Sequence, residues 1–286
     1  MLETLINGAL VGALYGLYGL GLSLCLGLMR QINMAHGDFI VFSAFLALQV
    51  TGFLGIHPLL AMPLIALIMF AVGWAVQRLF IERTLGRGDM PPILVTFGLS
   101  IILQNVMLEL FSADTRSLDP GVLGAAAVKL GPVTVGILPL LTLVVSVGIF
   151  AVTAKIFGAT RFGRAVRATS DNEQTAQLMG IATKKVFANA MGLALAISAV
   201  AAIFYGMRGT FDPSTGPERM LFAFEAVILG GLGSVWGTLF GGIILGLSQS
   251  AGTLIIPSLG PLVGHLVFLV GLLAVPNGLF AKRART

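Results

Sequence analysis

Ionisable and amide side chains interrupt an otherwise apolar sequence at two places where they could carry chemistry. Asn33, His36 and Asp38 lie together between the first two apolar runs, and Glu225 lies near the start of a glycine-rich apolar stretch. A histidine beside an aspartate can form a pH-sensitive pair or a structural hydrogen bond, and we favour the hydrogen bond. Ionisable groups at membrane depth usually line a cavity or pair with one another. These four residues are therefore candidates for a path through a membrane.

Each group also has a plainer interpretation. Asn33, His36 and Asp38 could lie in an inner loop and contact water. Glu225 could lie at the outer interface of the membrane, accessible to solvent, and for this residue we favour that position because a buried carboxylate needs a partner.

The motifs of several enzyme classes are missing from the sequence. A phosphate-binding loop requires glycines before a Lys-Ser or Lys-Thr pair, and no lysine has that context. His-Glu-x-x-His, Gly-x-Ser-x-Gly and Cys/His metal spacings are missing as well, and the single cysteine, Cys25, has apolar neighbours. We therefore predict that the chain is not an enzyme and that it binds no metal or cofactor. Any use of ATP would require another subunit.

The polar segment 157–185 contains signals for a short helix. Ser170 and Glu173 have the spacing of a capping box, and Asp171 is favourable near a helix N-terminus. Gly180 is typical of a helix C-terminus. We predict a helix of about two and a half turns between Ser170 and Gly180.

Ala176, Leu178 and Met179 would give this helix an apolar side. Such a side can fill a groove in a partner protein. Alternatively, the helix lies on the bilayer surface with nearby arginines close to lipid phosphates. These arginines are Arg161, Arg164 and Arg167.

The composition places these segments in a membrane protein. Of the 286 residues, 57% are hydrophobic and only 10% are charged, against ~25% charged residues in a soluble domain. The mean hydropathy is +0.98. These values exclude a disordered chain, a collagen-like chain and an ordinary cytosolic enzyme. The class of protein that is left is a polytopic membrane protein, with about seven to nine crossings.

Seven apolar runs are long enough to cross a bilayer. The stretch 222–256 is too long for one helix and rich in glycine, so we predict two short crossings or a re-entrant hairpin broken near Gly233 and Ser234. The predicted fold is a single all-α polytopic domain over 1–286 with about eight transmembrane segments. The seven runs cover residues 5–28, 38–54, 58–77, 92–111, 133–155, 186–206 and 262–280.

Basic residues predict the orientation of these spans. Thirteen of the 17 Lys and Arg residues fall at Arg30, in 78–91, in 155–185 and in the C-terminal tail. Because cytoplasmic loops are enriched in Lys and Arg, we expect the N-terminus outside and the C-terminus inside. An odd number of crossings is then required, so 222–256 contributes zero or two. This distribution also explains the positive charge without a nucleic-acid partner.

Two sets of glycines recur at four-residue spacing. Such glycines allow helix backbones to approach closely, and ordinary helix packing is the plain interpretation. Each set lies near a break in an apolar run, and paired breaks in the two halves of a chain point to a central transport path. The sets are Gly8, Gly12, Gly16 and Gly233, Gly237, Gly241.

Five ordered motifs carry a family resemblance. Together they resemble the H-type permease of branched-chain amino acid ABC importers, over residues 5–280. The loop motif contains Gly163, Arg164, Arg167, Asp171 and Gly180-Ile181. The others are Ile32-Asn33-Met34-Ala35-His36-Gly37, Glu82-Arg83 followed by Gly98-Leu99-Ser100 and Gln104-Asn105, Ala226 through Ser234, and Pro276-Asn277-Gly278-Leu279-Phe280.

The resemblance implies a multi-pass permease of a bacterial or archaeal cytoplasmic (inner) membrane. Two cytoplasmic ATPase subunits would bind ATP and Mg²⁺, and a periplasmic or extracellular binding protein would deliver the substrate. A second permease, homologous or identical, would complete the path within the lipid. The expected coupling residues are Gly163, Arg164, Arg167, Ser170, Asp171, Glu173, Ala176, Leu178, Met179 and Gly180.

Other transport functions stay open from the sequence. A permease of the same family could carry urea, short amides or aromatic acids. A proton-coupled secondary carrier could use His36 and Asp38 as its proton site. A channel is less favoured, because no carbonyl filter motif is present.

Overall fold

The long apolar runs fold into helices, because in a bilayer each backbone N–H and C=O group must be bonded within the protein. A computed structural model describes residues 1–84, 88, 90–130 and 133–280. The helices in this part of the chain are α1 (Leu2–Ser23), α2 (His36–Leu54), α3 (Pro58–Val76), α4 (Met90–Phe111), α5 (Val122–Ala125), α6 (Ile137–Ala159), α7 (Arg161–Asp171), α8 (Glu173–Leu178), α9 (Thr183–Arg208), α10 (Gly216–Gly230), α11 (Val235–Ile255) and α12 (Gly260–Ala274).

Shorter elements extend or connect these helices. A π-helical turn, Leu24–Leu28, continues α1, and a second one, Gln77–Ile81, continues α3 into a 3-10 turn at Glu82–Thr84. Another 3-10 turn, Pro257–Leu259, precedes α12. Strands β1 (Ala127–Leu130) and β2 (Val133–Gly136) form an antiparallel hairpin in which Ala127 pairs with Gly136.

Eight helical segments of the described residues are long and apolar enough to cross a membrane. They contain α1, α2, α3, α4, α6, α9, α11 and α12. This confirms an all-α polytopic membrane protein with about eight transmembrane segments. Four basic residues used for the orientation prediction lie outside the described residues. They are Arg87, Lys282, Arg283 and Arg285.

Two predicted spans differ most from the structure in their bounds. The span predicted over 133–155 begins only at Ile137, because residues 133–136 form β2 and bond to β1. The span predicted over 262–280 runs from Gly260 to Ala274. Val275 precedes Pro276, and a residue before proline is disfavoured in the helical conformation.

The glycine-rich stretch forms an unequal pair of helices. Helix α10 begins at Gly216, six residues before the predicted start, and has 15 residues, whereas α11 has 21 residues. Only α11 reaches the ~20 residues that a full crossing needs. The break lies at 231–234, where Gly231 and Gly233 have positive φ angles and the Ser234 hydroxyl accepts a hydrogen bond from the N–H of Gly237. The predicted break near Gly233 and Ser234 is therefore confirmed, and the two arms that it separates differ in length.

Helices α1 and α9 are the most buried of the eight spans, and α4 and α12 are the most exposed. Helix α9 meets α3 where Gly73 packs against the backbone of Met191 and Gly192 packs against Phe70. The interior is therefore built around α1 and α9.

The first glycine set lies in a close antiparallel contact between α1 and α11. A Cβ atom on Gly12 would overlap the carbonyl oxygen of Gly242, and a Cβ atom on Gly8 would overlap the carbonyl oxygen of Gly246. Gly16 packs against Leu239. The partners on α11 are thus Gly242 and Gly246, which the sequence analysis did not pair with this set.

The second glycine set packs elsewhere. Gly237 and Gly241 contact the backbone of Gly230 and Ala226 on α10, so α10 and α11 form an antiparallel hairpin. Gly233 lies against Gly27 at the end of the first span. Five of the six glycines therefore serve close helix packing, which was the plain interpretation, whereas Gly233 lies in the break between α10 and α11.

We predict that Gly12→Ala destabilises the protein, whereas Gly98→Ala on α4 does not. The added methyl group would overlap Gly242 in the first case and meets no atom within 4 Å in the second. Overpacking costs ~1–3 kcal/mol, and alanine is itself a better helix former than glycine. Thermal unfolding in detergent should show a lower midpoint for Gly12→Ala alone. Equal midpoints for the two variants would contradict the assigned contact between α1 and α11.

Candidate functional site

The segment between α1 and α2 is irregular and lies inside the protein. Gln31, Asn33 and Ala35 are all buried, while Arg30 is exposed and has a φ angle of +54°. The side-chain oxygen of Asn33 accepts a hydrogen bond of 3.1 Å from the N–H of Ala35, which organises the start of α2. Irregular backbone at membrane depth is tolerated where protein buries it or where it lines a cavity.

His36 and Asp38 are buried and bond to different partners. His36 Nε2 lies 2.9 Å from the carbonyl oxygen of Tyr18. The carboxylate of Asp38 accepts hydrogen bonds from Ser100 Oγ (2.6 Å) and Gln104 Nε2 (2.9 Å). The predicted hydrogen bond between His36 and Asp38 is therefore wrong, because side chains two residues apart on a helix do not face each other.

Asp38 also lies at the beginning of α10. A Cβ atom on Gly216 would overlap Asp38 Oδ1, and Gly37 packs against the backbone of Gly216 and Met220. The two helix starts therefore depend on glycine for their close approach. A carboxylate is favourable at this position, because unbonded N–H groups give a helix N-terminus a partial positive charge.

Glu225 is 1% exposed in α10, so the expected solvent-accessible position is wrong. Its Oε1 atom lies 2.6 Å from Nδ1 of His265 on α12. The His265 ring stacks on Phe222, which in turn stacks on Tyr15. The sequence analysis did not identify His265 as the partner of Glu225. The signal was available, because an ionisable histidine inside an apolar run usually pairs with another polar group.

The two interrupted stretches of the chain meet in the structure. Gly27, just before the first irregular segment, contacts Gly233 in the second break, and Gly37 contacts Gly216 at the start of α10. Asp38 therefore lies beside α10, whereas Asn33 lies near Met191 of α9 and His36 lies between Tyr18 of α1 and Ser198 of α9. The alternative in which these residues form a water-exposed inner loop is wrong, since each is at most 1% exposed.

The segment 157–185 contains two helices, and α7 is fastened to the end of α6. Gly163 packs on the backbone of Phe157, and the Arg167 guanidinium donates a hydrogen bond to the Phe157 carbonyl oxygen. Arg164 donates to the carbonyl oxygen of Ala159 at 3.2 Å. Both arginines therefore satisfy carbonyl groups that a helix C-terminus leaves unpaired.

The predicted helix between Ser170 and Gly180 is wrong in its first part. Ser170 and Asp171 belong to α7, and the cap of α8 is Asn172, whose side-chain oxygen accepts from the N–H of Thr175 at 2.9 Å. Asparagine caps a helix as well as serine does. The carboxylate of Glu173 instead accepts hydrogen bonds from the side chains of Gln177 and Thr183.

The predicted end of this helix is confirmed. Gly180 has a φ angle of +79°. The N–H of Gly180 donates to the carbonyl oxygen of Gln177, and the N–H of Ile181 donates to the carbonyl oxygen of Ala176. This is the Schellman pattern, which favours glycine. Ala176 is buried, whereas Leu178 and Met179 are 89% and 79% exposed.

Ion pairs connect this region to the spans. Asp171 lies 3.5 Å from Arg30 of the irregular segment after the first span. Lys184, at the start of α9, lies 3.0 Å from Glu82, which also bonds to Arg78 at 2.9 Å. The polar segment is thus linked to the ends of the first and third spans.

We predict that Gln104→Leu destabilises the protein more than Asn105→Leu. Gln104 donates to the buried carboxylate of Asp38, whereas Asn105 is exposed and donates only to Ile101 of its own helix. Removing a partner from a buried carboxylate costs ~1–3 kcal/mol or more. Thermal unfolding of both variants in detergent measures the difference. If Asn105→Leu lowers the unfolding midpoint as much as Gln104→Leu does, the loss of the hydrogen bond to Asp38 does not explain the effect of Gln104→Leu.

Comparison with known proteins identifies the family. The profile described as "Branched-chain amino acid transport system / permease component" matches residues 4–276. The high-affinity branched-chain amino acid transport system permease protein BraD of Pseudomonas aeruginosa is 30% identical over 263 residues, covering 88% of this chain and 86% of that protein. LivH of Escherichia coli K12 is 28% identical, with coverages of 98% and 96%.

An archaeal protein extends the comparison. The probable branched-chain amino acid transport permease protein LivH of Methanocaldococcus jannaschii is 28% identical, covering 97% of this chain and 92% of that protein. The resemblance stated from the motifs is confirmed. The chain belongs to the permease family of branched-chain amino acid transport systems, and it is a multi-pass transporter subunit of the cytoplasmic membrane rather than an enzyme.

Proposed function

We propose that this permease imports branched-chain amino acids and is driven through α8 by two cytoplasmic ATPase subunits that bind ATP and Mg²⁺. The observation that carries the proposal is the pair of exposed apolar side chains, Leu178 and Met179, at the end of α8. Apolar surface gains ~25 cal/mol per Å² when it leaves water. A short helix that presents such a pair fits a groove in a partner protein.

The bilayer surface is a poorer partner for α8. A helix that lies on a membrane carries Lys or Arg on its polar face. Between Glu173 and Leu178 the only charged residue is Glu173. Arg164 and Arg167, which could have contacted lipid phosphates, donate to carbonyl groups at the end of α6 instead.

The contacts around α7 supply a route from α8 to the spans. Gly163 and Arg167 fasten α7 to the end of α6, and Asp171 is paired with Arg30. A movement of α8 would therefore reach the irregular segment that contains Asn33 and leads into His36 and Asp38. We assign these residues and Glu225 to the translocation path.

The substrate and the remaining partners follow from the relatives. All three are named for branched-chain amino acid transport. An external binding protein and a second permease, homologous or identical, would complete the importer. His36 and Asp38 bond to separate groups, which gives no support to a paired proton site. Ligand binding by the external protein distinguishes branched-chain amino acids from urea, short amides and aromatic acids.

We predict that Leu178→Asp with Met179→Asp abolishes ATP-driven uptake, while Val122→Asp does not. Both sites expose large apolar side chains, and Val122 is 85% exposed at the start of α5, between α4 and α6. The new carboxylates would be desolvated in the proposed groove, at a cost of several kcal/mol. Co-purification of the ATPase subunits and uptake in proteoliposomes measure the effect. Normal co-purification and uptake by the double variant would refute docking through α8.

We also predict that α8 lies on the cytoplasmic side and that α5, between α4 and α6, lies outside, as the basic residues indicate. Cysteines introduced by Leu178→Cys and Val122→Cys form a matched pair, since both sites are highly exposed and the natural cysteine, Cys25, is buried. A membrane-impermeant thiol reagent should label Val122→Cys in right-side-out vesicles and Leu178→Cys in inverted vesicles. The reverse pattern would invert the proposed topology.

A further inference from the structure

A pocket of about 320 Å³ opens between α4, the first turns of α10 and the irregular segment after the first span. This volume is at the lower end of the ~300–1,000 Å³ range of small-molecule sites. The residues that line it are Met34, Phe97, Ser100, Pro217, Met220, Leu221 and Phe224.

The wall of the pocket combines adaptable apolar side chains with one polar position. Met34 and Met220 are unbranched and can adjust to ligands of different shape. Ser100 is the polar residue, and its hydroxyl donates at 2.6 Å to Asp38 directly behind the wall. The carboxylate makes this wall favourable for a cation, while the rest of the pocket favours a hydrocarbon group.

The position of the pocket favours a transported solute over a lipid chain. Ser100 lies near the midpoint of α4, and the exposed amide of Asn105 follows just over one turn later. Polar groups at this depth usually face a cavity or a pathway, because hydrocarbon cannot bond to them. Met34 belongs to the irregular segment before α2, and Met220 belongs to α10, the helix that ends at the break at 231–234. Paired interruptions of this kind point to a transport site.

We propose that this pocket receives the aliphatic side chain of the transported amino acid, with the α-ammonium group held at the Ser100 hydroxyl, in front of the buried Asp38 carboxylate. The inference rests on the proposed function and assigns its specificity to named residues. Met220 and Phe97 would set the length of side chain that fits. In this assignment the permease itself discriminates among branched-chain substrates, in addition to the external binding protein.

The test uses the complete importer in proteoliposomes, with its binding protein saturated by leucine or by valine, and measures the ratio of initial leucine to valine uptake. Met220→Trp fills the pocket and should lower this ratio, since leucine is longer than valine. Phe97→Ala enlarges the pocket and should raise it. We expect shifts of about tenfold, because one methylene in an apolar pocket changes discrimination by that order or more.

Matched controls separate the pocket from general effects of the same substitutions. Met90→Trp, at the start of α4, and Phe53→Ala, at the end of α2, alter exposed side chains that do not line the pocket. Both should leave the ratio unchanged. Opposite shifts for Met220→Trp and Phe97→Ala cannot come from misfolding, which would reduce both rates together.

Three results would overturn the inference. One is an unchanged ratio in both pocket variants, a second is a shift of both ratios in the same direction, and a third is a co-purified lipid in the pocket with the ratio unaffected. If Met220→Trp does not assemble, Phe97→Ala decides the matter alone, because it only shortens a side chain that is 51% exposed. A wild-type importer that carries no branched-chain amino acid would instead refute the proposed function.

Discussion

A bilayer core offers no hydrogen-bond partner to a peptide group, and the rest of this structure depends on that constraint. The long helices satisfy it within each span. The irregular segment before α2 and the break at 231–234 satisfy it in part through local bonds, from the N–H of Gln31 to the carbonyl oxygen of Cys25 and from the N–H of Ser234 to the carbonyl oxygen of Gly231. The two interruptions also lie close together, since Gly27 contacts Gly233.

Close packing supplies much of the stability that such an arrangement needs. Between membrane helices there is little hydrophobic driving force, so van der Waals contact and hydrogen bonds hold the helices together. Glycines at the interfaces of α1 with α11 and of α10 with α11 bring backbones into direct contact. The same packing places Asp38 against Gly216 and Glu225 against His265, so that each buried carboxylate has a bonding partner.

The proposed coupling and the proposed substrate pocket share one segment of chain. Arg30 is paired with Asp171 beside α8, and Met34, four residues later, lines the pocket between α4 and α10. In the proposed mechanism, a displacement of α8 by an ATPase subunit is passed along this short irregular segment. An irregular segment suits this role, because its backbone lacks the i to i−4 bonds that make a helix rigid.

The sequence by itself determined the membrane class, the number of spans, the break near Gly233 and the family, because hydropathy and short motifs are local properties of the chain. It also determined the end of α8, where Gly180 meets a local backbone requirement. Only the tertiary structure decided the partners of the buried polar groups. His36 bonds to Tyr18, Asp38 to Ser100 and Gln104, and Glu225 to His265, and each of these partners lies 18 or more residues away in the chain. Which distant residues meet depends on how the helices pack, and a local pattern carries no information about that.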